Sequence, residues 1–142
     1  MLKFKNTLCT GCHLCEMICS AQHFEEFAPT RARIRVSNHP LQGKSEVIAC
    51  FSCPKAPCIA ACPQGAISRP APRQPLVIDL QKCDGCGGHP ACVPACPYGA
   101  MCFDVPTQKA LACDLCGGDP QCVRFCYPGA VTFQPSEAAD QP

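Results

Sequence analysis

The sequence predicts a small α+β fold in which short strands and helices of one or two turns gather around clustered thiols. Three observations lead there. Seventeen of the 142 residues are cysteine, and all but one fall into tight groups of four. The segments that carry these groups repeat one another along the chain. The remaining apolar material is thin, with no Trp, 2 Tyr and 7 Phe, and 16 Pro interrupt it. A conventional core would be meagre at this size, and something else must supply cohesion.

Taken in chain order, the first quartet is Cys9, Cys12, Cys15 and Cys19, in CTGCHLCEMIC. The stretch SAQHFEEF can continue a helix from Cys19, and ARIRVSN then alternates Arg31, Arg33 and Arg35 with Ile34 and Val36. That alternation predicts a half-buried strand with a basic, solvated face. The second quartet is Cys50, Cys53, Cys58 and Cys62, followed by Pro63. The third is Cys83, Cys86, Cys92 and Cys96, followed by Pro97. The fourth is Cys113, Cys116, Cys122 and Cys126. KCDGCGGHPACVPACPYGAMCF and ACDLCGGDPQCVRFCYPGAVTF match at an offset of 30 residues, and CFSCPKAPCIAACPQGAI is a third, slightly shorter copy. Each copy ends in Gly-Ala and a short apolar run (GAIS, GAMCF, GAVTF), and each is preceded by another (EVIACF, PLVIDL, QKALAC). These runs predict short strands flanking a Cys-rich loop and a helical turn such as CVPAC or CVRFC. Residues 135–142 read as a flexible polar tail.

An odd number of cysteines excludes a fully disulfide-paired monomer, and spacings of two residues are too tight for a disulfide framework. The first quartet begins at residue 9, too early for a secretory signal ahead of it, and no uncharged run is long enough to span a membrane. A thiol-preserving cytoplasmic setting without membrane insertion is the expectation. Twelve basic and 11 acidic residues leave a formal charge of +1. A dedicated nucleic-acid reader usually carries a basic excess, so no nucleic-acid partner is expected.

The quartets point to metal. Pairs of C-x2-C suit tetrahedral zinc, which would make the chain a zinc-structured interaction protein. Zinc does not explain a third and fourth cysteine at further spacings of two and three. An iron–sulfur cubane does: three cysteines of C-x2-C-x2-C-x3-C take three corners, and the fourth points to a neighbouring cubane. No ligand position is replaced by another residue, so no open iron for substrate is signalled. The C-x3-C-x2-C spacing of radical-generating enzymes is absent. The chemistry available is electron transfer, not catalysis.

Four quartets in this order resemble the four-cluster ferredoxin-like electron-transfer subunits of modular oxidoreductases. That family includes iron–sulfur subunits beside molybdenum or tungsten pterin enzymes, hydrogenases and carbon monoxide dehydrogenase. The opening CTGCHLCEMICSAQH and RARIRV are most similar to small members serving aldehyde oxidoreductases or carbon monoxide dehydrogenase. The resemblance extends from Leu8 to about Phe133. It implies two pseudo-symmetric two-cluster ferredoxin modules and four [4Fe-4S] clusters. One module is formed by residues 1–19 and 103–134, the other by 50–102, with 20–49 a connecting helix and strand insertion. It also implies crossed ligand sets, where spacing alone fixes only the membership of each quartet. One cluster takes Cys9, Cys12, Cys15 and Cys126, and its neighbour takes Cys113, Cys116, Cys122 and Cys19. The other module takes Cys50, Cys53, Cys58 and Cys96, then Cys83, Cys86, Cys92 and Cys62. The implied partner is a large catalytic redox subunit of the tungsten or molybdenum pterin kind, with a flavin or other electron-accepting subunit beyond it. A free polyferredoxin acting as a diffusible carrier is the alternative.

Two departures from the pattern fall on the first and fourth quartets. Ser20 follows Cys19, and Tyr127 precedes Pro128, where Pro63 and Pro97 stand directly after Cys62 and Cys96. Proline there is a backbone device and not a ligand, so the turn is expected to move while the site stays. His13 and His89 are expected as exposed loop residues, and Cys102, the thiol left over, as a small buried hydrophobe.

Overall fold

A computed structural model describes residues 1–135, so the expected polar tail lies almost wholly outside the described residues. Among the described residues, eight short strands form four separate antiparallel pairs. Strand β1 (Leu2–Phe4) pairs with β8 (Val131–Phe133), across most of the chain. The other pairs are hairpins or near-hairpins: β2 (Ile34–His39) with β3 (Lys44–Ala49), β4 (Ile67–Ser68) with β5 (Val77–Ile78), and β6 (Cys102–Asp104) with β7 (Lys109–Leu111). Every apolar run flanking a quartet thus supplies a strand. Two-residue strands such as β4 bury too little to stand alone, which is the sense in which the thiols must help.

Among the described residues, three α-helices hold or begin three of the four x3 spacings. Helix α1 (Leu14–Phe24) buries Cys15, Glu16, Cys19 and Ser20, one stripe at helical spacing. It ends where Glu25 turns left-handed at φ 57°, its N–H closing on Ala21 O. Helices α2 (Pro57–Ala60) and α3 (Gln121–Arg124) are single turns, and CVPAC forms only a run of turns. The contrast between α1 and α2 has a sequence cause. Pro63 allows no helix to continue beyond Cys62, whereas Ser20 keeps its N–H and α1 runs on to Phe24.

The apolar residues form two clusters. Leu2, Ala32, Ile34, Val36, Val47, Ala49 and Val131 surround Cys15, Cys19 and Cys122. Ala56, Ala66, Ile67, Leu76, Met101, Ala110 and Ala112 surround Cys58, Cys83 and Cys92. The β2–β3 hairpin belongs to the first cluster. The β6–β7 hairpin lies across the division drawn at residues 102 and 103, contributing Ala110 to the second.

The expected basic strand face does not form as such. Arg31 and Arg33 precede β2 and are mostly enclosed, and only Arg35 sits exposed on the strand. The Arg31 guanidinium donates from Nε to Asp104 Oδ1 (2.8 Å) and from a terminal nitrogen to Oδ2 (2.9 Å), and also pairs with Glu26. Arg33 pairs with Asp114. Two of the three arginines therefore bind the segment before β2 to β6 and to the fourth quartet.

Candidate iron–sulfur centres

The repeat seen in the third and fourth quartets persists in backbone geometry. Cys86 has φ/ψ of 51/39° and Cys116 49/41°, both left-handed. Each is preceded by an aspartate whose side chain accepts its N–H, Asp84 at 2.8 Å and Asp114 at 3.0 Å. An Asx-type bond of this kind supports the tight turn that an x2 spacing needs. Gly11 performs the corresponding turn in the first quartet at φ 68°, where a Cβ would collide with the Asn38 side chain.

Two cavities each gather thiols from two quartets. One cavity is lined by Cys9, Cys12 and Cys15 together with Cys126, between Val36, Val47 and Phe125. A second is lined by Cys50, Cys53 and Cys58 together with Cys96, between Phe51, Leu76, Tyr98 and Met101. Phe51 and Tyr98 meet edge to face at 4.7 Å over it. The remaining thiols fall into two further neighbourhoods. Burial pushes the Cys122 thiol well above its usual range, and negative charge on Cys113, Cys19 and Cys116 adds to this. Burial likewise pushes Cys92 up to about 11, reinforced by Cys62, Cys83 and Cys86. Cys15 is pushed up to about 12 by burial and by Glu16, with Cys12 and Cys126 contributing. Thiols this crowded resist ionising together unless a cation neutralises them, the condition in which a metal or cluster binds.

Backbone donors complete the surroundings. The last cysteine of each quartet accepts an N–H at sulfur: Cys62 from Ala66 (3.3 Å), Cys96 from Ala100 (3.3 Å) and Cys126 from Val131 (3.4 Å). In the first quartet the helix runs on, so the following turn cannot supply this donor. Arg33, fourteen residues away, supplies it to Cys19 at 3.3 Å. The all-thiol donor sets and amides aimed at sulfur fit an iron–sulfur group.

Several neighbours carry no signal in the sequence. Glu16 is buried and accepts from Val36 N–H (2.7 Å) and from His13 Nδ1 (2.6 Å). The Nε2 of His13 meets Asn38 Nδ2 at 2.9 Å. His13 is therefore a bound, half-buried residue at the start of α1 and not a free loop residue, whereas His89 is exposed. His23 places Nε2 3.4 Å from Asp114 Oδ1 and 3.8 Å from Cys116 Sγ. The helical reading of SAQHFEEF places His23 on α1, but nothing in the sequence places it beside the fourth quartet.

Residues 45–136 match the model of a family described as the 4Fe-4S dicluster domain, and residues 6–22 match one described as a 4Fe-4S binding domain. The chain belongs to the 4Fe-4S dicluster family. Among curated relatives of this 4Fe-4S dicluster protein is the aliphatic sulfonate oxidoreductase polyferredoxin-like subunit of Pyrococcus furiosus. It is 39% identical over 79 residues, 56% of this chain and 45% of that protein. Formate hydrogenlyase subunit 2 of Escherichia coli is 38% identical over 64 residues, 45% of this chain and 30% of that one. The chain thus spans less than half the length of these two relatives. Among solved structures, the active site complex BamBC of benzoyl coenzyme A reductase with benzoyl-CoA contains a chain with 29% identity and a TM-score of 0.54. The match covers 93% of this chain and 76% of that one. The fold is accordingly that of a small iron–sulfur protein of short antiparallel strand pairs, with [4Fe-4S] clusters as its cofactor. Among the described residues no helix is long and apolar enough to cross a membrane.

Proposed function

We propose that the chain is a non-catalytic electron-transfer subunit of an oxidoreductase complex, with four [4Fe-4S] clusters in two pseudo-symmetric ferredoxin modules. The observation that carries this reading is that two cavities each gather three thiols of one quartet and the last thiol of another. The ligand sets we assign are Cys9, Cys12, Cys15 and Cys126 (first); Cys113, Cys116, Cys122 and Cys19 (second); Cys50, Cys53, Cys58 and Cys96 (third); and Cys83, Cys86, Cys92 and Cys62 (fourth). When bound, each group supplies a one-electron carrier, and carriers in a row span a distance that one could not. Neighbouring thiols support a linear order of the sets. Cys122 feels Cys15, which joins the second set to the first, and Cys113 feels Cys50, which joins the second to the third. Helix α2 ends between Cys58 of the third set and Cys62 of the fourth.

The protein's own part is to hold these groups and to bias them. Sixteen thiolates and four cores of about +2 each bring about −8 to a chain whose formal charge is +1. The backbone donors at Cys19, Cys62, Cys96 and Cys126 offset some of that charge at sulfur. Exposed Leu8, Leu14 and Tyr127 lie beside residues of the first set, where a partner could approach. The partner we propose is a large catalytic redox subunit of the tungsten or molybdenum pterin kind, with a flavin or other electron-accepting subunit beyond it, in the cytoplasm. Relatives and the solved neighbour named as subunits or complexes of oxidoreductases support a catalytic partner. Anaerobically purified protein should hold about sixteen irons and as many acid-labile sulfides per chain. Fewer than about twelve irons would contradict four clusters. Co-purification with a large pterin-containing subunit would favour the complex over a diffusible carrier.

A further inference from the structure

Among the described residues, two buried side-chain nitrogens have no hydrogen-bond partner: Nε of Arg33 and Nε of Arg69. Buried N–H groups are almost always paired, so two orphans on the same residue type call for an acceptor that only the loaded protein provides. Both belong to guanidinium groups beside thiol sets. Arg33 donates its main-chain N–H to Cys19 Sγ at 3.3 Å and pairs its terminal nitrogen with Asp114, the residue that turns Cys116. Arg69 donates from a terminal nitrogen to the carbonyl of Cys53 at 2.9 Å. Each guanidinium is thus anchored at its far end by a ligand-bearing loop, with Nε left over.

The surroundings differ from set to set. Beside the first set stands the buried Glu16 carboxylate, directly after Cys15, and not a guanidinium. Cationic donors are therefore not a uniform coating of the thiols, and these two address the second and third sets.

We infer that Arg33 Nε–H and Arg69 Nε–H donate to sulfur atoms of the groups held by the second and third sets, raising the reduction potential of each. The inference rests on the four-set assignment above. A donor and a positive charge at sulfur favour the more negative, reduced state, so removing them lowers the potential. The role is one of tuning: neither arginine ligates iron.

The test is a redox titration of the anaerobically purified holoprotein, followed by EPR and visible absorption, with iron measured on every sample. Arg69→Met and Arg33→Met should each lower the midpoint of one cluster, and a different one in each variant, with iron content unchanged. Arg69→Lys and Arg33→Lys, which keep the charge without Nε in its place, should give smaller shifts in the same direction. Full iron with every midpoint at its wild-type value would overturn the inference while leaving the four-set assignment intact. Iron loss in a Met variant without a lowered midpoint would mark that arginine as structural and overturn the inference for it. A wild-type protein with fewer than about twelve irons would instead overturn the assignment itself.

Discussion

Cys102 opens β6 opposite Leu111 of β7 and is 3% exposed, close to Arg35 and Cys96 but outside all four thiol sets. Burial raises its thiol above the usual range, as for a small apolar residue in a strand pair. Cys102→Ser should leave iron and sulfide content unchanged and cost roughly 1–2 kcal/mol for a buried hydroxyl. Iron analysis with thermal melting checks this; loss of a whole cluster would identify Cys102 as a ligand. Other single residues were less legible in the sequence. His13 and His89 stand in comparable loops there, yet Glu16 and Asn38 hold only the first. What separates them is a buried carboxylate one helical turn away and a hairpin 25 residues away, and spacing encodes neither. The arginines misled for a similar reason: alternation suggested a solvated face, while Arg31 and Arg33 find Asp104 and Asp114 on segments after residue 100.

At the scale of elements, Ser20 decides the shape of the first quartet. Its side chain is fully buried, with Oγ donating to Met17 O (2.9 Å) and accepting the Ala28 N–H (3.0 Å), so it ties the loop after α1 back to the helix. Ser20→Pro, which would restore the commoner C-P pair, should cost about 3 kcal/mol or more, because it removes a helical donor from inside α1. Ser20→Ala should cost about 1 kcal/mol for the lost hydrogen bonds. Denaturation followed by circular dichroism should rank wild type above Ala and Ala above Pro; a Pro variant as stable as wild type would refute this account of α1. The short strands were legible because each run flanking a quartet is apolar and bounded by Gly, Pro or Cys. The unequal helices were legible in part, since the missing proline marks the place without saying how far the helix runs.

An ion pair that the sequence hides ties the segment before β2, beside the first apolar cluster, to β6, beside the second. Asp104 is 1% exposed and receives Arg31 at both oxygens, as well as the Thr107 N–H. Its carboxyl is held below the usual carboxylate range, chiefly by the Arg31 guanidinium. The stability it contributes is therefore complete above about pH 4 and is lost as pH falls through its lowered value. Asp104→Asn should lower the thermal midpoint at pH 7 by roughly 5–10 °C. Below about pH 4 its melting should vary less with pH than that of the wild type; parallel pH profiles would refute the pairing. Four local spacings sort sixteen thiols into four quartets in the sequence itself. Which thiols share a cavity is written in no spacing, since it depends on contacts such as β1 with β8. That strand pair has a temporal side. Leu2–Phe4 leaves the ribosome more than a hundred residues before Val131–Phe133, a wait on the order of ten seconds at ordinary rates of synthesis. The β4–β5 and β6–β7 hairpins can form during that wait. On the ligand sets proposed above, the segment from Cys9 to Cys19 waits for Cys126 over the same interval, exposed to oxidants and to passing metals.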